Sequence, residues 1–349
     1  MNGEFAATAQ AGTIEYPPFV VEEHTRMELF QNPMGSGAGG LEADRQKLQT
    51  VTDPRGIELV VHDTNIEHAK NVEALDTHVT GTSILAIRAG DGGLSHMLDA
   101  IITVKEQRKR EQSGVFDPPV LVIPGGHKND LAHQLLNLEA YTDIELALLE
   151  SVIRELYPTN LTIQRVDKNN NPTEEPVLRR AFAYGTIGPS SATAAGVNTE
   201  KYRNQKLLEL PGGRFLAERW LALTTYCKSK PFGVEVNGDE TRAIEWMVAN
   251  GNLIAGSFHT SADPLLPEAR IIQARSRLTG LWTLFAMGVN MEIGDKLEAD
   301  QALTYIIDIP NGRTMHVQID GEEYPISGRN MITAGVGQTT VSVLTTRKQ

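Results

Sequence analysis

Three runs of this chain carry carboxylates in settings suited to phosphate chemistry. Asp91 stands in Ala89-Gly90-Asp91-Gly92-Gly93, Asp130 closes Pro124-Gly125-Gly126-His127-Lys128-Asn129-Asp130, and Glu322 ends Asp320-Gly321-Glu322. Glycines let backbone approach a phosphate closely, and a carboxylate beside them can hold a magnesium ion that bridges phosphate oxygens. Lys128 adds a positive charge to the second run. A further glycine-rich run, Gly35-Ser36-Gly37-Ala38-Gly39-Gly40, has the spacing G-x-G-x-x-G, and Asp63 stands where a dinucleotide fold keeps its ribose-binding acid. Each run also has a plainer reading. Tight strand-to-helix turns favour glycine, Asp caps helices, and Asp-Gly is a common hairpin turn.

The elements that must position these residues follow a rhythm. Apolar strands are expected at residues 27–30, 57–61, 84–87 and 120–123, each running into a polar or glycine-rich turn and then a helix. The turn after the second is His62-Asp63-Thr64-Asn65. Four such units place all four turns on one edge of a parallel sheet, where open α/β sheets bind ligands. Leu94, Met97, Leu98, Ile101 and Ile102 share one helical face, so a helix is expected over residues 94–105. Asn129 or Asp130 suits the N-cap of the next helix, with Leu131, Ala132, Leu135 and Leu136 facing inward.

After a helix expected at 142–156 the pattern changes to short alternating segments at 161–166, 178–184, 232–236, 243–249, 303–309, 314–319 and 339–344. Residues 167–175 read as a hairpin loop. The expected fold class is an α/β N-terminal domain, with a parallel sheet built from strand–turn–helix repeats, plus a mostly antiparallel, β-sandwich-like C-terminal domain. The divisions are an arm without helical or strand period at 1–25, the α/β domain at 26–140 and the β-rich domain at 141–349.

Composition limits the function classes. The chain has 349 residues, 40% hydrophobic and 22% charged, enough for two cores. A net charge of -12 argues against nucleic acid as a partner. One cysteine, Cys227, allows no internal disulfide, and no leader or apolar run of about 18 residues stands out, so a cytoplasmic setting is expected. Cys227 is expected to be a small buried residue. The nine histidines lack metal-ligand spacing, the tryptophans 220, 246 and 282 read as core, and the apolar stretch 278–289 reads as buried rather than membrane-facing.

Taken together, these motifs resemble the diacylglycerol kinase and sphingosine kinase catalytic family, which includes bacterial lipid kinases. The similarity spans about residues 27–344. The family's Asn-Pro-x-x-Gly element looks like Asn32-Pro33-Met34-Gly35-Ser36-Gly37, its strand-end threonine and His-Ala pair like Thr64 with His68-Ala69, and its Gly-Gly-Asp-Gly-Thr signature like residues 89–93. Its Pro-x-Gly-Thr-x-Asn-Asp-x-Ala signature is similar to residues 124–132, its Asn-x-x-x-x-Gly-Gly-Gly stretch to Asn250-Gly251 with Ala255-Gly256, and its Asp-Gly-Glu to Asp320-Gly321-Glu322.

The resemblance implies a nucleotide-binding α/β domain that meets the second domain at a cleft, with ATP and Mg2+ as cofactors. By it, Glu322 is the general base, and Asp91, with Asp130 nearby, binds magnesium and phosphate. The nucleotide site would include Asn32, Gly35, Gly37, Thr64, Gly90, Asp91, Gly92, Gly93, Gly126, His127, Lys128, Asn129 and Asp130. The implied acceptor is a hydroxyl of a lipid or amphipathic molecule, diacylglycerol or sphingoid-like, reached by transient contact with a membrane surface. A homodimer is left open. This chain departs from the family at Gly93 and His127, where threonines are expected, at His96, where a glutamate is expected, and after Pro267-Glu268-Ala269, where the family's Asp-Gly is absent. A catalytically inactive nucleotide-binding homologue and an NAD kinase-like enzyme stand as alternatives.

Overall fold

The computed structural model describes residues 18–33, 40–126, 129–136, 141–199, 202, 213–236, 238–249, 253–254, 258–259, 268–273, 295–297 and 303–346. The first seventeen residues, Gly35, Gly37, His127, Lys128, Asn250, Gly251, Ala255, Gly256, Pro267 and the stretch 278–289 with Trp282 lie outside these.

Four strand–turn–helix units open the fold. They are β1 (Arg26–Gln31) with α1 (Leu41–Thr52), β2 (Glu58–Asp63) with α2 (His68–His78), β3 (Ser83–Ala89) with α3 (Asp91–Glu111), and β4 (Val120–Pro124) with α4 (Asp130–Leu135). The four strands are parallel, in the order β2-β1-β3-β4. Every residue of β3 is buried, as a central strand covered by helices on both faces requires. α3 is longer than the apolar stripe alone indicates. It continues through Glu106–Glu111, because Glu, Gln, Lys and Arg are good helix formers and Arg108, Lys109 and Arg110 complement the dipole at its C-terminal end.

The helix expected at 142–156 is instead a short helix, α5 (Ile144–Leu149), and a strand, β5 (Ser151–Leu156). The side chain of Asp143 caps α5 by accepting Glu145 N–H at 2.9 Å. Val152 and Ile153 carry on the apolar pattern, but they are β-branched and suit the pleated edge where the chain pairs with its last strand.

The second region runs through β6 (Thr159–Arg165), β7 (Val177–Ala181), β8 (Tyr184–Ile187), α6 (Pro189–Asn198), α7 (Gly213–Lys228), β9 (Phe232–Val236) and β10 (Asp239–Ala249). It continues through β11 (Leu253–Ile254), β12 (Phe258–His259), β13 (Glu268–Gln273), β14 (Asp295–Leu297), β15 (Leu303–Asp308), β16 (Thr314–Ile319), β17 (Glu322–Ser327) and β18 (Arg329–Val336). Apart from the small β11–β12 pair these form one antiparallel sheet, ordered β17-β16-β8-β10-β9-β15-β18-β6-β7, with β13 and β14 added beside β10. The sheet is curled: Arg179 of β7, at one end of this order, lies over the Tyr324 ring of β17 at the other. Its interior is filled by Leu161, Trp246, Ile307, Val317 and Ile332, with Trp246 edge-on to Tyr305 at 5.3 Å.

α6 and α7 were not legible as helices, and they pack on one another beside the sheet. Two side-chain expectations are corrected on α7. Cys227 is exposed rather than buried, and Trp220 is 67% exposed rather than core. Both face solvent because the buried side of α7, with Ala217 and Tyr226, is turned the other way.

The final strand, β19 (Val341–Thr346), does not join the antiparallel sheet as its alternating pattern suggests. It enters the first sheet between β4 and β5, parallel to β4 and antiparallel to β5. All six of its residues are buried, which gives an apolar strand more contact than a half-solvated sheet would. The α/β core also extends into the second region through Phe182, Tyr184, Tyr226 and Met247, so the two cores touch.

Leu344 is fully buried in this returning strand. Leu344→Ala should therefore cost about 2–5 kcal/mol in urea unfolding of the whole chain. A loss below about 1 kcal/mol would show that β19 is not part of the core.

Candidate functional site

The turns at the carboxyl ends of β1 to β4 come together as the strand rhythm requires. Asn32 N–H donates to Arg88 O at 3.2 Å, and Thr64 N–H donates to Gln31 O at 2.8 Å, so Asn32 sits between the ends of β2 and β3. A Cβ on Gly93 would lie 3.8 Å from Asn32 Nδ2. The β3 and β4 turns are in closer contact still. Gly125 N–H donates to Ala89 O at 3.0 Å, and a Cβ on Gly126 would lie 2.3 Å from Gly90 Cα. Asp63 lies at the exposed sheet edge with Gln31 Nε2 3.4 Å from its Oδ1.

Asn129 shapes the fourth turn. It adopts a left-handed backbone at φ 53°, a conformation Asn tolerates better than most residues. Its Oδ1 accepts Gly126 N–H at 2.7 Å, while Nδ2 donates to Gly126 O and to Tyr141 Oη, both at 3.0 Å. The side chain that meets the first amides of α4 comes from another element. Asp91, the first residue of α3, accepts Leu131 N–H at 3.3 Å, and the amides of Asp130 and Asn129 also donate to it. Burial raises the Asp91 carboxyl above its ordinary value, and those amides oppose the rise. Asp130 is buried beside it, at 1% exposure. The buried Tyr184 hydroxyl is pushed well up by burial and by the charges of Asp130, Asp91 and Asp320, which marks a concentration of negative charge behind the turns.

The Asp-Gly-Glu turn reaches this edge from the second region. Asp320 and Gly321 take positive φ values, 48° and 92°, to join β16 to β17. The Asp320 carboxylate is buried and accepts Phe182 N–H at 2.6 Å, Tyr184 N–H at 2.7 Å, Ala183 N–H at 3.0 Å and Ser95 Oγ–H at 2.8 Å. It therefore ties β8 and α3 to the turn. Burial outweighs these four donors and raises the Asp320 carboxyl to about 6.

Glu322 lies against α3. A Cβ on Gly92 would stand 3.4 Å from Asp320 O and 3.7 Å from Glu322 Cγ, so the turn and the glutamate lie within van der Waals reach of the start of α3. Its Oε1 contacts His96 Nε2, one turn along α3 from Gly92, and its Oε2 accepts Tyr324 Oη–H at 2.6 Å. Arg179 stands 4.6 Å from the centre of the Tyr324 ring. Burial pushes the Glu322 carboxyl up, but hydrogen bonds from His96 and Tyr324 and the charges of His96 and Arg179 leave it below its ordinary value. The bond to Glu322 raises His96, against the opposing effect of burial.

Residues 26–157 match the model of the diacylglycerol kinase catalytic domain. Over that stretch the chain is similar to the diacylglycerol kinase catalytic family. A diacylglycerol kinase structure from Bacillus anthracis str. Sterne is similar over 92% of this chain and 97% of its own, at 14% identity and a TM-score of 0.60. A second structure from that organism is similar over 93% and 98%, at 15% identity and a TM-score of 0.60. These likenesses show a shared two-domain fold. A search of curated proteins found no match.

Within this kinase-type fold, Asn32, Thr64, Gly90, Asp91, Gly92, Gly93, Gly126, Asn129 and Asp130 line the sheet edge, and Glu322 lies on the Gly92 side of it. Gly35, Gly37, His127 and Lys128 lie outside the described residues. The structure adds Ser95, Tyr324, Arg179, Tyr184 and Tyr141, none of which has a motif to reveal it. His96 shows in sequence only as a departure, and its partnership with Glu322 spans residues too far apart to pair by spacing. Among the described residues no three His, Cys, Asp or Glu side chains converge as a metal cage, and no helix is long and apolar enough to cross a membrane.

Gly126→Ala should force the β3 and β4 turns apart and lower stability by about 1–3 kcal/mol, as overpacking does. Thermal unfolding checks this, and an unchanged midpoint would mean the turns are not in contact. Asp320 gives a pH test. The folded carboxyl keeps its proton to about 6, and the unfolded one releases it near 3.9, so the folded state binds more protons between these values. Its contribution to stability is then fullest below pH ~4 and falls as pH rises toward 6. Asp320→Asn should flatten that part of the urea-midpoint profile while lowering stability by about 1–3 kcal/mol through donors left unmatched.

Proposed function

We propose that the protein is an ATP-dependent kinase that transfers the γ-phosphate to a hydroxyl of a lipid or similarly amphipathic acceptor. The observation that carries this reading is the meeting of two distant motifs, with Gly92 of the Gly-Asp-Gly turn lying against Asp320 and Glu322 of the Asp-Gly-Glu turn. Such a meeting sets a phosphate-binding helix start beside a carboxylate that can take a proton. Phosphoryl transfer asks mainly for positioning and charge stabilisation, which rigid turns at a sheet edge supply.

In this reading the triphosphate lies along the turns at Asn32, Gly90–Gly93, Gly126 and Asn129. Asp91 and Asp130 fit a magnesium ion that arrives with the nucleotide, because Mg2+ takes only one or two carboxylates and fills its other positions with phosphate oxygens and water. Asp130 is 1% exposed, and its amide and that of Leu131 meet the Asp91 carboxylate, so the two acids sit together at the heads of α3 and α4. The ion, when bound, neutralises charge on the phosphate oxygens. The acceptor hydroxyl loses its proton to Glu322, held ready by His96 and Tyr324. Its oxygen then bonds to the γ-phosphorus while the bond to ADP breaks. An amphipathic acceptor implies brief contact with a membrane surface.

The test is transfer of labelled γ-phosphate from Mg-ATP to an extracted lipid pool. Glu322→Gln should lower turnover about 10²–10⁴-fold, the usual worth of a proton acceptor, with Mg-ATP affinity changed little. Equal losses in both would make Glu322 a binding residue. Asp91→Asn should weaken Mg-ATP binding, and unchanged affinity would remove Asp91 from the site. Nucleotide binding with no labelled lipid would assign the fold to a binding role without lipid kinase activity.

A further inference from the structure

The glutamate that ends the Asp-Gly-Glu turn is engaged through both carboxylate oxygens. One meets His96 and the other Tyr324, and the side chains of His96 and Glu322 are 31% and 35% exposed. His96 stands where the resemblance expects a glutamate. Two carboxylates in those positions would repel, whereas an imidazole attracts. The substitution therefore changes the chemistry of the proton acceptor itself.

We propose that His96 is a positioning residue for Glu322: its ring fixes the carboxylate beside Gly92, and loss of its proton turns a stable ion-pair partner into a working base. This rests on the kinase reading above and adds to it a control on the same site.

The geometry sets the direction. A charged His96 stabilises the Glu322 carboxylate and so makes it a poorer proton acceptor. A neutral His96 keeps its N–H bond to Glu322 and withdraws the charge, so the carboxylate keeps its place and gains basicity. Among the described residues the other charged or titratable groups that act on the pair are three. Tyr324 and Arg179 face it from the two ends of the curled sheet, and Asp99 faces His96 from the next turn of α3. Arg179 disfavours charge on His96, and Asp99 favours it. Asp99 is itself bound by Arg180 at 2.6 Å and lies 3.8 Å from His68, which leaves Glu322 as the main partner of the ring. Because His96 is held above its ordinary value, turnover should rise with pH through a midpoint above that of an ordinary imidazole.

Two measurements test this on the full chain. The first needs no substrate. NMR titration of the His96 ring should show its midpoint falling toward the ordinary imidazole value of about 6.5 in Glu322→Gln. An unchanged midpoint would overturn the coupling. The second is the pH profile of phosphate transfer. A group titrating at 6.5 is about one-quarter deprotonated at pH 6 and nearly all deprotonated at pH 8. In His96→Gln, which keeps an N–H donor without the charge, the ratio of kcat at pH 6 to kcat at pH 8 should therefore rise at least about fourfold. His96→Asn serves if that variant fails to fold. An unchanged ratio would overturn the proposal, as would a collapse of turnover at every pH, which would make His96 the proton acceptor. Absence of phosphate transfer in the unaltered protein would count against the kinase reading, and the NMR titration would still decide whether His96 governs Glu322.

Discussion

The site depends on one buried carboxylate that does no chemistry in the proposed reaction. Asp320 gathers three backbone amides at the start of β8 and a hydroxyl from α3. It is thereby the point where the helix of the Gly-Asp-Gly turn, a central strand of the second sheet and the Asp-Gly-Glu hairpin share a partner. Burying a carboxylate is unfavourable unless its hydrogen-bonding capacity is filled, and four short donors fill it. Gly321 then swings the chain outward, and Glu322 comes to rest against Gly92. The placement of the proposed proton acceptor is thus a by-product of a structural bond two residues away.

The two ends of the site are built by different physics. The proposed nucleotide end is made of backbone: strand ends, a left-handed Asn129 and glycines at van der Waals contact, with Asp91 capping a helix that is not its own. The basic end is made of side chains from three distant segments: His96, Arg179, and Glu322 with Tyr324. Backbone geometry of the first kind is dictated locally and repeats across a family. Side-chain constellations of the second kind can change residue by residue.

That division also explains what sequence could show. The strand–turn–helix rhythm is local, so β1 to β4 and the edge holding Asn32, Thr64, Gly90–Gly93 and Asn129 were legible, as were β9 and β16, whose residues alternate cleanly. The Asp143-capped helix was overrun because Val152 and Ile153 continue its apolar period, and only pairing with β19 makes them a strand. α6 was missed because its alanines, serines and glycine carry no amphipathic stripe. Asn129 holds the N-cap position of α4 as expected, but the side chain that accepts the helix's first amides is that of Asp91. His96 as partner of Glu322, and Ser95 and residues 182–184 as partners of Asp320, lie more than a hundred residues away in sequence, where no periodicity connects them.

The returning strand β19 sets a condition on biogenesis. The first sheet is complete only after the whole second region has been synthesised, because β5 meets β4 only through residues 341–346. Domains usually fold as units in the order they leave the ribosome, N-terminal first. Here the first four strands must wait with an open edge on β4, the kind of unpaired edge that invites pairing with another chain. The nascent protein is therefore most exposed to aggregation late in translation, and its two regions become trustworthy partners at the same moment, when the last strand slides into the gap.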